Sequence, residues 1–223
     1  MNYQIDAPGS AIRTTVKLPA SKSISNRALI LNALSYSAYD VENLSDCDDT
    51  NLMVKALNSN DRDFNVGAAG TTMRFLTAFL SKVVGEWTIT GTERMKNRPI
   101  KVLVDALNAL GARIEYMEKE GYPPLRIFGS ALQGGEISLP GNVSSQYISA
   151  ILMIAPLTEN GVMLHLEGAI ISRPYIHITL QLMEQYGVRA SWTENTIKVL
   201  PQEYKPIRFT VESDWSAASY WYE

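Results

Sequence analysis

Residues 18–31 of this chain read LPASKSISNRALIL, and they predict the end of a strand, a turn and the start of a helix. Apolar residues follow at helical spacing, and Ser21 stands where a helix N-cap is expected. Lys22 then lies in the first turn, where the helix dipole disfavours a cation, while Ser23 and Arg27 share one helix face. The common reason for a cation there is an anion bound at the helix start. The alternative is a capped amphipathic helix with stray surface charges.

The same pattern occurs three times along the chain. Residues 139–152 (LPGNVSSQYISAIL) match it, and residues 66–76 (VGAAGTTMRFL) form a looser copy. Each copy contains a strand, a turn, a pair of hydroxyl residues and an apolar-faced helix. We therefore expect an α/β fold of three βαβαββ repeats that begin near Ile12, Gly67 and Glu136. Because each repeat must bury its apolar face on the others, the helices are expected inside and the sheets outside, as an inside-out α/β barrel.

A second kind of helix is expected within each repeat. Arg98-Pro99 and Arg173-Pro174 each open such a helix, and Gly111 and Gly187 follow the helix ends, as helix chemistry favours. Residues 48–57 are the expected equivalent in the first repeat. The strands expected after these helices are 113–117, 125–128, 189–192 and 196–200.

The composition is that of an ordinary globular chain. Its 223 residues are 46% hydrophobic and 19% charged, with a net charge of −3. No clustered basic excess points to a nucleic acid partner, and no apolar run is long enough to span a membrane. Cys47 is the single cysteine, which excludes an internal disulfide and a cysteine-based zinc site and suits the cytoplasm. Basic residues near Gly and Ser/Thr turns favour a small anionic substrate.

Both ends of the chain carry elements outside the repeats. Residues 2–5 read as a strand, and residues 214–223 read as a helix that opens with a cap and has no C-terminal signal. Aromatic residues in that tail favour packing against a further part of the protein. We expect residues 12–210 to form the three-repeat domain, and residues 1–11 and 211–223 to cross into a second domain beyond this chain.

The motifs resemble those of the enolpyruvyl-shikimate-phosphate synthases, in the N-terminal half of that family and over essentially all of this chain. The strings that carry the resemblance are residues 18–27 (LPASKSISNR), 69–74 (AGTTMR), 95–100 (MKNRPI), 143–146 (VSSQ) and 172–175 (SRPY). The resemblance implies a two-domain enzyme of the shikimate pathway that closes on its substrates. The implied enzyme would transfer the enolpyruvyl group of phosphoenolpyruvate to the 5-hydroxyl of shikimate 3-phosphate and release phosphate, without a metal or an organic cofactor.

The resemblance also assigns residues by motif. Lys22 is the catalytic candidate, which would contact phosphoenolpyruvate and stabilise or protonate it. The residues implied in substrate binding are Lys22, Ser23, Arg27, Gly70, Arg98, Ser144, Ser145, Gln146, Ser172 and Tyr175, with Thr71, Arg74 and Arg173 as secondary candidates. The full-length enzyme is expected to be a cytoplasmic monomer. This chain, as its N-terminal half, is expected to bind shikimate 3-phosphate weakly and to be inactive without the C-terminal half.

The chain departs from the family pattern at several positions. Ala68 stands where Asn usually precedes the Ala-Gly-Thr run, Thr72 replaces a common Ala, and Phe75 replaces the usual Pro. We expect these changes to alter the affinity for phosphoenolpyruvate and its phosphonate analogues. Trp215 follows Asp214 where a small residue is more usual.

Two other functions stay open from the sequence. The UDP-N-acetylglucosamine enolpyruvyl transferases share the fold, but they usually carry Cys in the loop that here reads TERMKNR (residues 92–98) and Asn after the first Lys. A non-catalytic phosphosugar-binding module is the other alternative, because the family's acid/base carboxylates belong to the half beyond this chain.

Overall fold

The computed structural model describes Gly9 and residues 13–222. The predicted strand at 2–5, the predicted repeat start near Ile12 and Glu223 lie outside these residues, as does nearly all of the predicted N-terminal crossover segment. No helix in the part of the chain that the structure describes is long and apolar enough to cross a membrane.

The first repeat is shorter than the sequence predicted. It consists of α1 (Lys22–Leu34), β1 (Val41–Glu42) and α2 (Asp48–Leu57). Only residues 58–62 separate α2 from the first strand of the next repeat. A closing pair of strands with its turn needs about ten residues, so the expected pair is missing between these two elements. The prediction of three complete repeats was therefore wrong for the first of them.

The second and third repeats are complete and equivalent. The second contains β2 (Asp63–Asn65), α3 (Gly70–Lys82), β3 (Gly85–Thr90), the short α4 (Glu93–Lys96), α5 (Lys101–Ala109), β4 (Arg113–Tyr116) and β5 (Leu125–Gly129). The third contains β6 (Gly135–Pro140), α6 (Ser145–Ile154), β7 (Val162–Glu167), α7 (Arg173–Gln185), β8 (Ala190–Thr193) and β9 (Thr196–Val199). Their sheets have the matching strand orders β2-β3-β5-β4 and β6-β7-β9-β8, each with a parallel first pair and antiparallel pairs after it. The βαβαββ unit is confirmed here.

The helices form the inside of the molecule, as expected. The central helices α1, α3 and α6 contact one another, and each of α2, α5 and α7 packs between two of them. All of α6 except Gln146 is buried, which explains why its sequence is apolar nearly all round. The sheets cover this helical core from outside, so the inside-out arrangement is confirmed.

The last part of the chain returns to the first repeat. β10 (Phe209–Thr210) pairs in parallel with β1, and Ala20 forms an antiparallel bridge with Ser213. The predicted cap on α8 (Trp215–Ser219) is confirmed, because the Asp214 carboxylate accepts two backbone N–H bonds from its first turn. The exposed aromatic side chains of this tail are Trp215, Tyr220, Trp221 and Tyr222.

Candidate functional site

The starts of the three central helices lie together at one end of the core. Gln146 in α6 donates a hydrogen bond from Nε2 to Thr71 Oγ1 in α3, at 3.1 Å. Arg27 in α1 donates from Nη2 to Ser149 Oγ in α6, at 2.9 Å. Because helix N-termini carry partial positive charge and unpaired N–H groups, this end of the molecule is suited to anions.

Side chains cap these helix starts only in part. Ser21 and Ala69 occupy the N-cap positions of α1 and α3, and neither side chain accepts a hydrogen bond from its helix. Ser21 therefore has the predicted position without the capping bond. Ser144 caps α6 weakly, since its Oγ accepts from the Gln146 N–H at 3.4 Å. The first turns of α1 and α3 thus keep backbone donors that no N-cap side chain uses.

Gly70, the first residue of α3, lies between two guanidinium groups. A Cβ atom built at this position would lie 2.7 Å from Arg98 Nη2 and 2.8 Å from Arg74 Nη1. Any side chain here would have to displace both arginines. The structure therefore brings together three of the predicted site residues at one helix start.

Arg74 ties this helix start to α6. Its Nη1 donates to the Gly70 carbonyl at 2.9 Å and to Gln146 Oε1 at 2.8 Å. Its guanidinium carbon lies 5.1 Å from the centre of the Tyr147 ring, and the Tyr147 hydroxyl donates to the Pro99 carbonyl at 2.7 Å. These contacts join α3, α6 and the loop that carries the second arginine of the site.

The electrostatic surroundings of Arg98 are strongly positive. Partial burial lowers the pKa of Arg98, and the nearby positive charges of Arg74 and Arg94 lower it further, while Asp49 opposes this shift. Three arginines with one opposing carboxylate leave net positive charge at the start of α3. A multiply charged anion would balance it.

Asp49 is a residue of this cluster that sequence reasoning missed. Its Oδ1 accepts a hydrogen bond from the Thr71 N–H at 3.0 Å, and its carbonyl accepts one from Thr72 Oγ1 at 2.6 Å. The acidic pair at the start of α2 was the available signal, but first-turn acids are common in helices and do not indicate a site. The Asp49 carboxylate therefore accepts a hydrogen bond from one of the backbone N–H groups in the first turn of α3.

Arg27 forms a second cluster inside the helix core. Its side chain is only 2% exposed, yet its hydrogen-bond acceptors are the hydroxyls of Thr179 and Ser149 and the Ser23 carbonyl. Burial lowers the pKa of Arg27 to about 10. The charge of this arginine is therefore held in a solvent-poor place by neutral partners.

The other predicted residues occupy helix starts around these clusters. Lys22 is the first residue of α1 and is exposed. Ser145 opens α6 and is buried, and Ser172 stands at the N-cap of α7 without a side-chain capping bond. Tyr175 lies in the first turn of α7 with 44% of its side chain exposed. All of them are on the helices that the Arg27 cluster connects.

Arg173 differs from the other candidates. Its guanidinium carbon lies 5.2 Å from the ring centre of Trp192, which belongs to β8 of the outer sheet. No hydrogen bond joins Arg173 to either cluster among the residues the structure describes. This contact does not bring Arg173 to either cluster, and its place among the secondary binding candidates stays a prediction.

The departures from the family pattern have local structural counterparts. Ala68 lines a cavity of about 470 Å³ between α2 and the start of α3. Thr72 bonds the Asp49 carbonyl, and Phe75 is buried beside Arg27.

No group of three or more His, Cys, Asp or Glu residues that could hold a metal ion occurs in the described ranges.

Comparisons with known proteins agree on one family. A family model described as EPSP synthase (3-phosphoshikimate 1-carboxyvinyltransferase) matches residues 7–61 and 58–223. A protein named 3-phosphoshikimate 1-carboxyvinyltransferase from Bacteroides fragilis is 61% identical over 224 residues, which cover 100% of this chain and 54% of that protein. A protein of the same name from Vibrio campbellii is 43% identical and covers 96% of this chain and 57% of its own length. The chain thus spans about half the length of these relatives.

A solved structure shows the same fold. The EPSP synthase from Acinetobacter baumannii superposes with a TM-score of 0.81 over 92% of this chain and 51% of that chain, at 21% identity. The likeness at this identity concerns the architecture of repeats and helices rather than the site.

Proposed function

This chain belongs to the EPSP synthase family, and on that premise we propose that it supplies half of the active site of an enolpyruvyl transferase. The enzyme would move the enolpyruvyl group of phosphoenolpyruvate to the 5-hydroxyl of shikimate 3-phosphate and release phosphate. The observation that carries the proposal is the position of Gly70 between Arg98 and Arg74 at the start of α3. The first residue of this helix has no side chain, so a small anion can approach the backbone N–H groups there. The two neighbouring arginines suit an anion that carries more than one negative charge.

Phosphoenolpyruvate is proposed to bind at this helix start. Gly70 allows its phosphate or carboxylate to approach the backbone, and Arg98 supplies a planar pair of N–H donors. Arg74 and Thr71 support the arrangement through Gln146, which bonds both of them. Gln146 thereby links the proposed sites of the two substrates.

Shikimate 3-phosphate is proposed to bind where α1, α6 and α7 begin. Ser23 and Arg27 come from α1, and the 3-phosphate would accept hydrogen bonds from hydroxyls at the other two helix starts. Those hydroxyls belong to Ser144, Ser145, Ser172 and Tyr175. The neutral surroundings of Arg27 support this assignment, because its charge stays available to an anionic ligand.

Lys22 is the proposed catalytic residue of this half. In the reaction, the 5-oxygen of shikimate 3-phosphate loses its proton and bonds to C2 of phosphoenolpyruvate, while C3 gains a proton and a tetrahedral species forms. Loss of phosphate and of one C3 proton then restores the double bond. Lys22 is exposed at the start of α1, where it can contact phosphoenolpyruvate and stabilise its negative charge or donate a proton to it.

The rest of the enzyme is proposed to lie in a second domain. The relatives are about twice as long as this chain, and the tail aromatics beside α8 present apolar surface for packing. Residues 1–11 and 211–223 are the proposed crossover segments, and residues 12–210 the three-repeat domain. We expect a cytoplasmic monomer at full length, with neither metal nor organic cofactor and without nucleic acid or membrane partners.

A chimera tests this function. This chain, joined to the remaining part of the Bacteroides fragilis relative, should release phosphate from phosphoenolpyruvate only when shikimate 3-phosphate is present. Lys22→Met should lower that rate by at least about 100-fold with the fold intact. Lys82→Met, at the far end of α3, is the matched control and should keep the rate. A near-normal rate for Lys22→Met would remove Lys22 from the mechanism.

The chain by itself gives a second test. It should bind shikimate 3-phosphate weakly in titration calorimetry, with Arg27→Ala abolishing the heat, and should not release phosphate. Phosphate release by the chain alone would contradict the half-site proposal. An inactive chimera that still binds the ligand would favour a phosphosugar-binding module. Turnover with a UDP-sugar acceptor instead would favour the sister transferase.

A further inference from the structure

Buried hydrogen bonds join the guanidinium of Arg27 to two hydroxyl groups, which are also bonded to each other. Nε donates to Thr179 Oγ1 at 2.7 Å, and Nη2 donates to Ser149 Oγ at 2.9 Å. The two hydroxyl oxygens are 2.7 Å apart. Thr179 Oγ1 also lies 3.0 Å from the carbonyl of Tyr175, one turn earlier in α7. Arg27, Ser149 and Thr179 belong to three different helices and are all buried.

The protons of this set can be assigned without conflict. A guanidinium only donates, so both hydroxyl oxygens accept from Arg27. Thr179 then donates its proton to the Tyr175 carbonyl, and Ser149 donates its proton to Thr179 Oγ1. Because each hydroxyl proton has one acceptor, the bonds run in one direction and fix the rotation of both hydroxyls.

These partners leave the charge of Arg27 unneutralised. The third acceptor of the guanidinium is the Ser23 carbonyl, which accepts a hydrogen bond from Nη1 at 2.9 Å. None of the ion pairs in the described part of the chain includes Arg27. A guanidinium has five N–H bonds, so one remains on each Nη. A buried cation without a counter-ion is costly, and an anion that accepts from these remaining donors would offset that cost.

We propose that Thr179 and Ser149 are positioning residues, which hold the Arg27 guanidinium so that its remaining N–H groups face shikimate 3-phosphate. The inference rests on the proposed function, which assigns that ligand to Arg27. Hydroxyls suit the task because they fix the guanidinium and leave its positive charge in place, whereas a carboxylate would neutralise it. Through Tyr175 the same bonds join Arg27 to the first turn of α7, where further ligand contacts are proposed.

Two variants of Thr179 separate the hydroxyl from the shape of the side chain. Thr179→Val keeps the branched shape and removes Oγ1, and we expect it to weaken shikimate 3-phosphate binding to this chain about tenfold in calorimetry. Thr179→Ser keeps the oxygen and should restore binding to within about threefold of the original chain. Rescue by the serine variant is a result that loss of packing alone would not produce.

Thr77 provides a matched control. It is buried in α3 and donates to the Met73 carbonyl at 2.7 Å, as Thr179 does to the carbonyl one turn earlier in α7. Thr77→Val should therefore leave the dissociation constant within about twofold of the original. Equal weakening by both valine variants, or unchanged binding in Thr179→Val, overturns the proposal. If Thr179→Val does not fold, Ser149→Ala removes the other oxygen and carries the same expected loss.

A readout without ligand separates this inference from the proposed function. The Arg27 Nε–H signal in ¹⁵N NMR, assigned with Arg27→Lys, should exchange slowly with water in the original chain and at least about tenfold faster in Thr179→Val. An unchanged exchange rate overturns the positioning role. Faster exchange in a protein that does not bind shikimate 3-phosphate would refute the ligand assignment and leave the positioning of Arg27 intact.

Discussion

The guanidinium carbon of Arg27 lies 5.3 Å from the centre of the Phe75 ring, inside the helical core. Phe75 stands where the family usually has proline, and its side chain is fully buried. An aromatic face attracts a cation, by about 2 kcal/mol when the pair is desolvated. Phe75 therefore offsets part of the cost of burying Arg27 while it leaves the charge available to a ligand.

Replacement of this ring should lower stability more than packing alone requires. We expect Phe75→Leu to reduce the free energy of unfolding by about 3 kcal/mol, because both ring contacts and the cation–π attraction are lost. Phe79→Leu, one turn later and partly exposed, should cost below about 1 kcal/mol. Urea titrations of the two variants make the comparison. A loss of only about 1 kcal/mol in Phe75→Leu, which the lost ring contacts alone would explain, would show that the cation contributes nothing.

Substitution of Gly70 should affect one proposed substrate and spare the other. In Gly70→Ala the new methyl group meets the ends of Arg98 and Arg74, which are flexible and can move aside without unfolding the helix. In the chimera we expect the KM for phosphoenolpyruvate to rise at least about tenfold and that for shikimate 3-phosphate to change less than about twofold. Gly9→Ala is the control, because its new Cβ would meet no atom of the described residues within 4 Å. Equal effects on both KM values would place Gly70 outside the phosphoenolpyruvate site.

Removal of the negative charge of Asp49 should strengthen anion binding. Asp49→Asn keeps an oxygen that accepts the Thr71 N–H bond and removes the charge that opposes the arginines of the cluster. We expect inorganic phosphate to bind this chain about threefold to tenfold more tightly, equivalent to about 1 kcal/mol. Asp48→Asn changes the charge at the neighbouring exposed position and should have less than half of this effect in free energy. Weaker phosphate binding in Asp49→Asn would mean that the carboxylate supports the site.

The helices of the repeats could be predicted because their signals are local. Proline near the start and glycine after the end bounded the helix at 173–185, and the apolar run in α6 indicated a fully buried helix. The closing strands of the first repeat were predicted by analogy with the other two. The structure contradicts that analogy, because only residues 58–62 lie between α2 and β2 and they cannot hold two strands.

The hydrogen-bonding partners of the site could not be predicted in the same way. Ser149 and Thr179 read as polar residues within apolar helix faces, and only the packing of α6 and α7 against α1 brings them to Arg27. Asp49 likewise reaches the start of α3 from another helix. Motifs located the residues at helix starts, whereas contacts between distant segments depend on how the helices pack.

The buried phenol of Tyr186 should make the free energy of unfolding depend on pH in the alkaline range. Its side chain is fully buried after α7, and burial raises its pKa from 10.0 to about 12. Between these values the unfolded chain has lost the phenol proton while the folded chain keeps it. Since the folded state then binds more protons, the free energy of unfolding falls as pH rises, by about 1.4 kcal/mol per pH unit for this group. Below pH 10 the group contributes no slope.

Tyr186→Phe should therefore flatten the decline of stability above pH 10. At pH 8 the variant should differ little from the original chain, because the lost hydrogen bond to the Ala28 carbonyl is 3.5 Å long. Urea titrations from pH 8 to pH 11.5 give the free energy of unfolding as a function of pH for both proteins. Between pH 10 and pH 11.5 the slopes of the two curves should differ by the equivalent of about one proton per molecule. Tyr36→Phe, at a side chain that is 95% exposed, should follow the original curve, and Arg27 and the remaining buried tyrosines are common to all three proteins. Parallel curves for Tyr186→Phe and the original chain would show that the buried phenol does not hold its proton more tightly than the unfolded chain.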